Sequence, residues 1–241
     1  MLPRFFCPDL PSPGADFVLP AAIAHHLDRV LRLRPGTELL LFDGSGRELT
    51  ATLKQTGKAA SVSLDSVAEV SRETPLDIAL VQALATADKM DWVVQKAVEL
   101  GVRTVYPVAA ERSVLRLEGE RAARRVEHWQ QVAVSAAEQS GRNTITRIEP
   151  IRPLAQWLSE FAKVRRSWIL DPEAGTPLSE QRAPEGPVAL LIGPEGGWAE
   201  RELAAARSAA CLPLALGPRV LRTETAGLAA VAAMQALWGD F

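Results

Sequence analysis

Cysteine is scarce in this chain: Cys7 and Cys211 are the only two among 241 residues, and they lie far apart with no Cys-x-x-Cys spacing. That excludes a disulfide framework and a zinc–thiolate site, and leaves both as ordinary reduced residues. The three histidines, His25, His26 and His128, stand at no metal-ligand spacing and have no acidic or thiol companions at the usual offsets, so no metal is expected. Long apolar runs are missing as well. MLPRFFCPDL carries no stretch long enough for a signal peptide, and the longest apolar run, Ala226 to Trp238, is interrupted by Gln235 and too short to span a bilayer. A cytoplasmic protein with no membrane partner is expected. Two fingerprints are absent too: there is no Gly-x-Gly-x-x-Gly with an acidic ribose partner, and no P-loop ending in Gly-Lys-Ser/Thr. A dinucleotide-dependent dehydrogenase is thereby disfavoured.

What is present is enough apolar residue for a real core, 47% of the chain, with an ordinary charged fraction of 23%. The net charge of −2 advertises no nucleic-acid partner, but phosphate binding depends on local clusters that a total conceals. Arg112, Arg116, Arg121, Arg124 and Arg125 face only Glu118 and Glu120 between them. Further basic clusters are Arg29, Arg32 and Arg34, and Lys163, Arg165 and Arg166. Such clusters serve equally as solvated helix faces.

The texture of the chain changes between Ser71 and Pro75. Before it, a helix around Ala21 to Leu33 precedes short alternating segments, Glu38 to Phe42, Glu48 to Leu53 and Ala60 to Val67, with a turn at Asp43-Gly44-Ser45-Gly46. This is the pattern of a small antiparallel β unit with hairpins. After it, strands and helices alternate. Ile78 to Ala83 reads as a strand, and Met90, Val93, Val94, Ala97 and Val98 recur at helical spacing until Gly101. Val105 to Val108, Ser167 to Leu170 and Val188 to Ile192 read as strands, and Trp129, Val132, Ala133 and Ala136 mark another helix. The alternation predicts an α/β fold with a mostly parallel sheet covered on both faces. Pro172 to Pro187 reads as an irregular loop.

Two glycine-bearing segments near the C-terminus carry the chemistry, LLIGPEGGWAERE (Leu190 to Glu202) and LGPRVLRTETAGLAA (Leu216 to Ala230). Each follows an apolar strand and leads into an Ala/Leu-rich helix, so two strand–loop–helix junctions can present backbone groups to one small molecule. A plain turn between strand and helix accounts for the first loop equally well. In the second, Thr223 or Thr225 suits a helix N-cap. Arg222 at a helix N-terminus is disfavoured by the macrodipole and is therefore a candidate to meet an anionic group.

These segments resemble the two signature loops of the SPOUT methyltransferases, specifically the RsmE family, which methylates N3 of a uridine in small-subunit ribosomal RNA. The resemblance extends along the chain through RFF (Arg4 to Phe6), HLDRVLRLRPGTELLLFDG (His26 to Gly44), DKMDWVVQKAVELGV (Asp88 to Val102), ERS (Glu111 to Ser113) and AAEQSGR (Ala136 to Arg142), in the family's order. One departure is Ala199, where relatives often carry a Ser or Thr cap.

The resemblance implies a PUA-like RNA-binding β domain over 1–70 and a SPOUT methyltransferase domain over 73–241 with a deep C-terminal trefoil knot, an exception to the unknotted rule. It implies S-adenosylmethionine as cofactor and a homodimer. Carried over by position, the cofactor contacts are Leu191, Ile192, Gly193, Pro194, Glu195, Gly196, Gly197, Leu216, Gly217, Leu221, Arg222 and Thr223. Backbone groups of Ile192, Gly197, Leu216 and Leu221 would meet the adenine and ribose edges. Arg222 would stabilise charge developing on the uracil oxygens, with Glu195, Glu138 or Glu224 accepting the N3 proton. Arg4, Arg29, Arg32, Arg34, Arg112, Arg116, Arg124 and Arg142 would hold RNA, whether naked small-subunit ribosomal RNA or the assembled subunit. A SPOUT enzyme of another RNA position, and a non-catalytic RNA-binding assembly factor, are the alternatives.

Overall fold

The alternating segments at the start of the chain pair into one five-stranded sheet in the computed structural model, which describes residues 2–173 and 176–241. Its strands are β1 (Arg4–Phe6), β2 (Asp16–Val18), β3 (Glu38–Phe42), β4 (Arg47–Gln55) and β5 (Ser61–Glu69). They lie in the order β1-β3-β4-β5-β2, antiparallel except that β1 runs parallel to β3. Period-two alternation sends Leu39, Leu41, Leu49, Ala51, Leu53, Val62 and Leu64 to one buried face, where they meet Phe5 and Leu27.

The helix expected over Ala21 to Leu33 is shorter. The α-helical part, α1, is Ala21–His25, followed by a π-helical turn at His26–Val30, and Arg32 at φ 53° ends it. The unit comprises Met1–Glu73 together with Ala137–Ile145. The later segment is held in it by Asn143, whose Nδ2 donates to the Val70 carbonyl at 2.9 Å and whose carbonyl accepts from the Gly46 N–H at 3.3 Å.

The second unit, Thr74–Ala136 with Thr146–Phe241, is built on a parallel sheet. In chain order its elements are β6 (Ile78–Ala83), α2 (Ala87–Glu99), β7 (Thr104–Ala109), α3 (Gly119–Ser140, its last residues in the first unit), β8 (Arg147–Ile148), β9 (Arg152–Pro153) and α4 (Leu154–Phe161). There follow β10 (Arg166–Leu170), β11 (Thr176–Pro177), β12 (Val188–Ile192), α5 (Glu200–Ser208), β13 (Leu212–Ala215) and α6 (Thr223–Trp238). The strand order is β11-β13-β10-β12-β6-β7-β8, with β9 also on β7.

Both central strands, β6 and β12, are buried along their whole length, as expected of strands covered on two faces. Trp157 and Leu158 of α4 and Ala206 of α5 pack on one face against Val81, Tyr106, Val108 and Leu191. On the other face α6 lies against α2 and over β12 and β6. It comes so close that a Cβ on Gly227 would meet Ile192 and Leu80 at 3.1 Å. The segment expected to be an irregular loop, Pro172 to Pro187, contains β11 and a 3₁₀ turn at Leu178–Glu180, while Ala174 and Gly175 lie outside the described residues. No helix among the described residues is long and apolar enough to cross a membrane.

Candidate functional site

Three neighbouring parallel strands end on the same edge of the second sheet. In the order β13-β10-β12 their last residues are Ala215, Leu170 and Ile192. The loops that leave them, with the first turn of α6 and Lys89 of α2, enclose a cavity of about 610 Å³. The carboxyl ends of parallel strands are where open α/β sheets bind ligands.

The first loop turns at once after β12. The Gly197 N–H closes it on the Pro194 carbonyl at 2.9 Å, with Gly197 at φ 68°, a conformation that favours glycine. Arg112 grips the loop from below, its Nη1 donating to the carbonyls of Gly196 at 3.1 Å and Trp198 at 3.3 Å. A Cβ on Gly196 would come within 3.1 Å of the Arg112 Cβ. Ala199 provides no side-chain cap for α5, yet the Glu202 carboxylate accepts from the N–H of Ala199 and from that of Glu111, both at 2.9 Å. The missing hydroxyl is thus compensated from the other half of the capping arrangement.

The second loop is tied to the first through Thr223. Neither Thr223 nor Thr225 caps α6: Arg222 holds the N-cap position, and the Thr223 hydroxyl instead donates to the Gly193 carbonyl at 2.5 Å. Gln82, wholly buried at the end of β6, donates to the Thr223 hydroxyl at 2.9 Å and to the Ala83 carbonyl at 3.0 Å. Lys89 joins the same two loops at the cavity rim, 3.1 Å from Glu195 and 3.3 Å from Glu224. Hydrogen bonding to Glu195, with a further contribution from Glu224, raises the Lys89 pKa above its ordinary value. Burial pushes the Glu195 carboxyl up, but its own N–H, Lys89 and the Thr86 N–H together outweigh that and hold it below the ordinary value.

Of the residues expected to hold the cofactor, Ile192, Gly193, Pro194, Glu195, Gly196, Gly197, Leu216, Gly217, Leu221, Arg222 and Thr223 all line this cavity. Leu191 faces the other way, into the core under α4 and α5. Arg222 is exposed and has no ion pair among the described residues. Sequence reading missed Gln82 and Lys89. The one signal for Gln82 is a lone amide in an otherwise apolar strand. A buried polar atom on a cavity-lining residue, Trp198 Nε1, has no hydrogen-bond partner among the described residues. A glycine-turned cavity offering backbone edges, an unpaired indole donor and the carboxylates of Glu195 and Glu224 fits a nucleoside-bearing cofactor that carries a positive charge.

The arginines expected at RNA divide into two kinds. Arg29, Arg32, Arg34, Arg116 and Arg124 are exposed. Arg29 sits 3.3 Å from Asp28, Arg116 donates to the Glu111 carbonyl at 2.8 Å, and Arg124 is 3.6 Å from Glu120. Arg112 is committed to the first loop as described. Arg4 and Arg142 depart from the expectation because both are interior. Arg4 is ion-paired to Glu48 and donates to Asn143 Oδ1 at 2.5 Å and to the carbonyls of Gly141 and Arg142. Arg142 is 2.6 Å from Glu73, with its side chain only 4% exposed. Both guanidiniums are buried and paired with carboxylates inside the N-terminal unit. Glu138 also lies in that unit and does not line the cavity. Its Oε1 accepts from the Phe6 N–H at 2.9 Å, and burial raises its pKa against the opposing pull of that N–H, His26 and Arg4.

With this geometry in hand, comparison with known proteins gives consistent matches. A family model for an RNA methyltransferase domain matches residues 72–235, and one for an RNA methyltransferase PUA domain matches residues 19–64. The chain is 32% identical over 220 residues to the ribosomal RNA small subunit methyltransferase E of Bacillus subtilis, covering 87% of this chain and 86% of that protein. A crystal structure of the protein of the same name from Neisseria gonorrhoeae, bound to S-adenosylmethionine, matches at 43% identity and TM-score 0.96 over the whole of both chains. A Legionella pneumophila structure that also holds S-adenosylmethionine matches at 36% identity and TM-score 0.94, again over both whole chains.

Proposed function

The chain belongs to the RNA methyltransferase family, and from that premise we propose that it transfers the methyl group of S-adenosylmethionine to N3 of a uridine in small-subunit ribosomal RNA. The observation that carries the reading is the cavity at the ends of β10, β12 and β13, lined by both glycine-bearing loops and by Trp198, whose Nε1 lacks a partner among the described residues. The fold of the solved relatives supports it, and so does the cofactor those relatives contain.

When bound, S-adenosylmethionine supplies an already activated methyl group on its sulfonium. The protein's part is alignment and charge. Backbone groups of Ile192, Gly197, Leu216 and Leu221 would hold the adenine and ribose edges, with the loops fixed by Arg112 and by the Gln82–Thr223 chain. As N3 loses its proton, negative charge spreads to the uracil oxygens, and the exposed guanidinium of Arg222, beside the positive end of α6, stabilises it. Glu224 accepts the proton. Of the three carboxylates considered, Glu138 does not line the cavity, and Glu224 does so from the first turn of α6, 3.3 Å from Lys89. Glu195 is held ionised by its partners and is a weaker acceptor.

A uridine N3 is hidden in a paired base, so the substrate must be single-stranded or splayed open. Arg29, Arg32, Arg34, Arg116 and Arg124 hold its phosphates, which makes binding fall with salt. The protein works in the cytoplasm as a homodimer, with its C-terminal segment threaded as a trefoil knot; family likeness is the support for all three. The test is to incubate the protein with S-adenosylmethionine and either naked ribosomal RNA or assembled small subunits that lack the modification, then analyse nucleosides by mass spectrometry. The expected product is 3-methyluridine. A methylated ribose, or no methylated nucleoside from either substrate, overturns the reading.

A further inference from the structure

A buried carboxylate in the cavity is used by nothing described so far. Asp171 follows directly on β10, is 9% exposed, and lines the cavity. The sheet order makes its position central, because β10 lies between β13 and β12, the two strands whose loops form the cavity walls. Its N–H donates to the Leu214 carbonyl at 3.1 Å, which sets it level with the end of β13. Its Oδ1 accepts from the Glu173 N–H at 3.0 Å, closing a short turn. An ionised carboxylate has about four acceptor sites, and this turn uses one.

Burying such a group without further partners is costly, and two of the cavity's cations are engaged elsewhere. Lys89 is bound to Glu195 and Glu224, and Arg112 to the carbonyls of Gly196 and Trp198. No ion pair to Asp171 forms among the described residues. The backbone edges of Ile192 and Leu216, which flank the end of β10 on its two sides, are those assigned above to the nucleoside half of the cofactor.

We propose that Asp171 is a cofactor-binding residue whose free carboxylate oxygen accepts hydrogen bonds from the ribose hydroxyls of the adenosyl group. The inference rests on the reading of the cavity as an S-adenosylmethionine site. The chemistry is that of an acidic side chain at a strand end meeting a ribose diol, reached here without the dinucleotide fingerprint. Sequence reading passed over Asp171 because it stands between an apolar strand and a stretch without periodicity.

The test is calorimetric titration of S-adenosylhomocysteine, and of its analogue lacking both ribose hydroxyls, into the wild-type protein and Asp171→Asn. Asparagine keeps an oxygen for the Glu173 N–H while removing the charge and replacing the second oxygen with a donor, so the turn survives. The wild type should bind the parent compound at least on the order of tenfold more tightly than the analogue, as expected for hydrogen bonds to a charged group. Asp171→Asn should lose roughly that factor for the parent compound and bind the two compounds about equally. A variant that keeps the wild-type preference for the hydroxylated compound, or whose affinity is unchanged, overturns the proposal. Should the wild type bind neither compound, the reading of the cavity itself fails, and this inference with it.

Discussion

The hydroxyl of Thr223 donates to the carbonyl oxygen of Gly193 at 2.5 Å, so the first residue of α6 is fixed to the first residue beyond β12. Thr223→Val keeps the shape but leaves the Gly193 carbonyl without its donor and deprives Gln82 of one acceptor. The cost of such unmade bonds is about 1–3 kcal/mol. Part of it should appear as roughly tenfold weaker binding of S-adenosylhomocysteine, while Thr223→Ser binds like the wild type. Calorimetry on the three proteins checks this; unchanged affinity in the valine variant would show that the tie does not shape the site.

Arg222 has a different task from Thr223, since its side chain is exposed and belongs to no ion pair among the described residues. Arg222→Ala should lower kcat by about 10²–10³, the usual loss when one donor to a developing anion is removed. Cofactor affinity should stay within a few-fold. Single-turnover methylation combined with calorimetry separates the two effects. A large loss of cofactor binding would instead make Arg222 a cofactor ligand.

Two arginines first grouped together should behave in opposite ways. Arg4→Met leaves Glu48 buried with only Arg72 beside it, and should cost roughly 3 kcal/mol of stability in denaturant unfolding. Burial raises the Glu48 pKa, but Arg4 and Arg72 outweigh that and lower it. A lowered carboxylate contributes stability that is present above its unfolded pKa and lost as pH falls through the folded value. The variant should therefore lose more stability near neutrality than in acid. Arg32→Ala, by contrast, should leave unfolding unchanged and reduce the salt slope of RNA binding by about 1. An Arg32 variant with an undiminished slope removes that residue from the RNA interface.

Glu138 sits in the N-terminal unit with a raised pKa, caused chiefly by burial. A carboxyl whose folded pKa is raised contributes stability below its unfolded pKa and loses it as pH rises through the folded value. Glu138→Gln retains an acceptor for the Phe6 N–H and removes the buried charge. Its melting temperature should exceed that of the wild type above neutrality, and the gap should close in acid. Methylation should be unaffected. A large fall in turnover with the fold intact would restore Glu138 to the chemistry.

Much of the cavity was legible because its determinants are local. Gly196 and Gly197 mark a turn, and the apolar run before the first loop, β12, is buried at every position, as a covered strand should be. Period-two alternation in β3, β4 and β5 likewise dictates the first sheet. What escaped were features that depend on pairing across the chain. β1 is three residues long and exists through its register with β3 some 36 positions later, Arg4 opposite Leu40. The interior place of Arg4 follows from Glu48 and Asn143, neither of which is a sequence neighbour. Thr223 looked like a cap because its competing partner, Gly193, is thirty residues away. Lys89 and Asp171 acquire meaning only when the sheet order sets β6, β12, β10 and β13 side by side.

The most direct test is a crystal structure of this protein grown with S-adenosylhomocysteine. The account predicts the ligand in the cavity between Gly193–Gly197 and Leu216–Thr223, its adenine and ribose edges on the backbone of those loops. A ligand bound elsewhere on the chain, or a cavity that stays without one at saturating concentration, would contradict it.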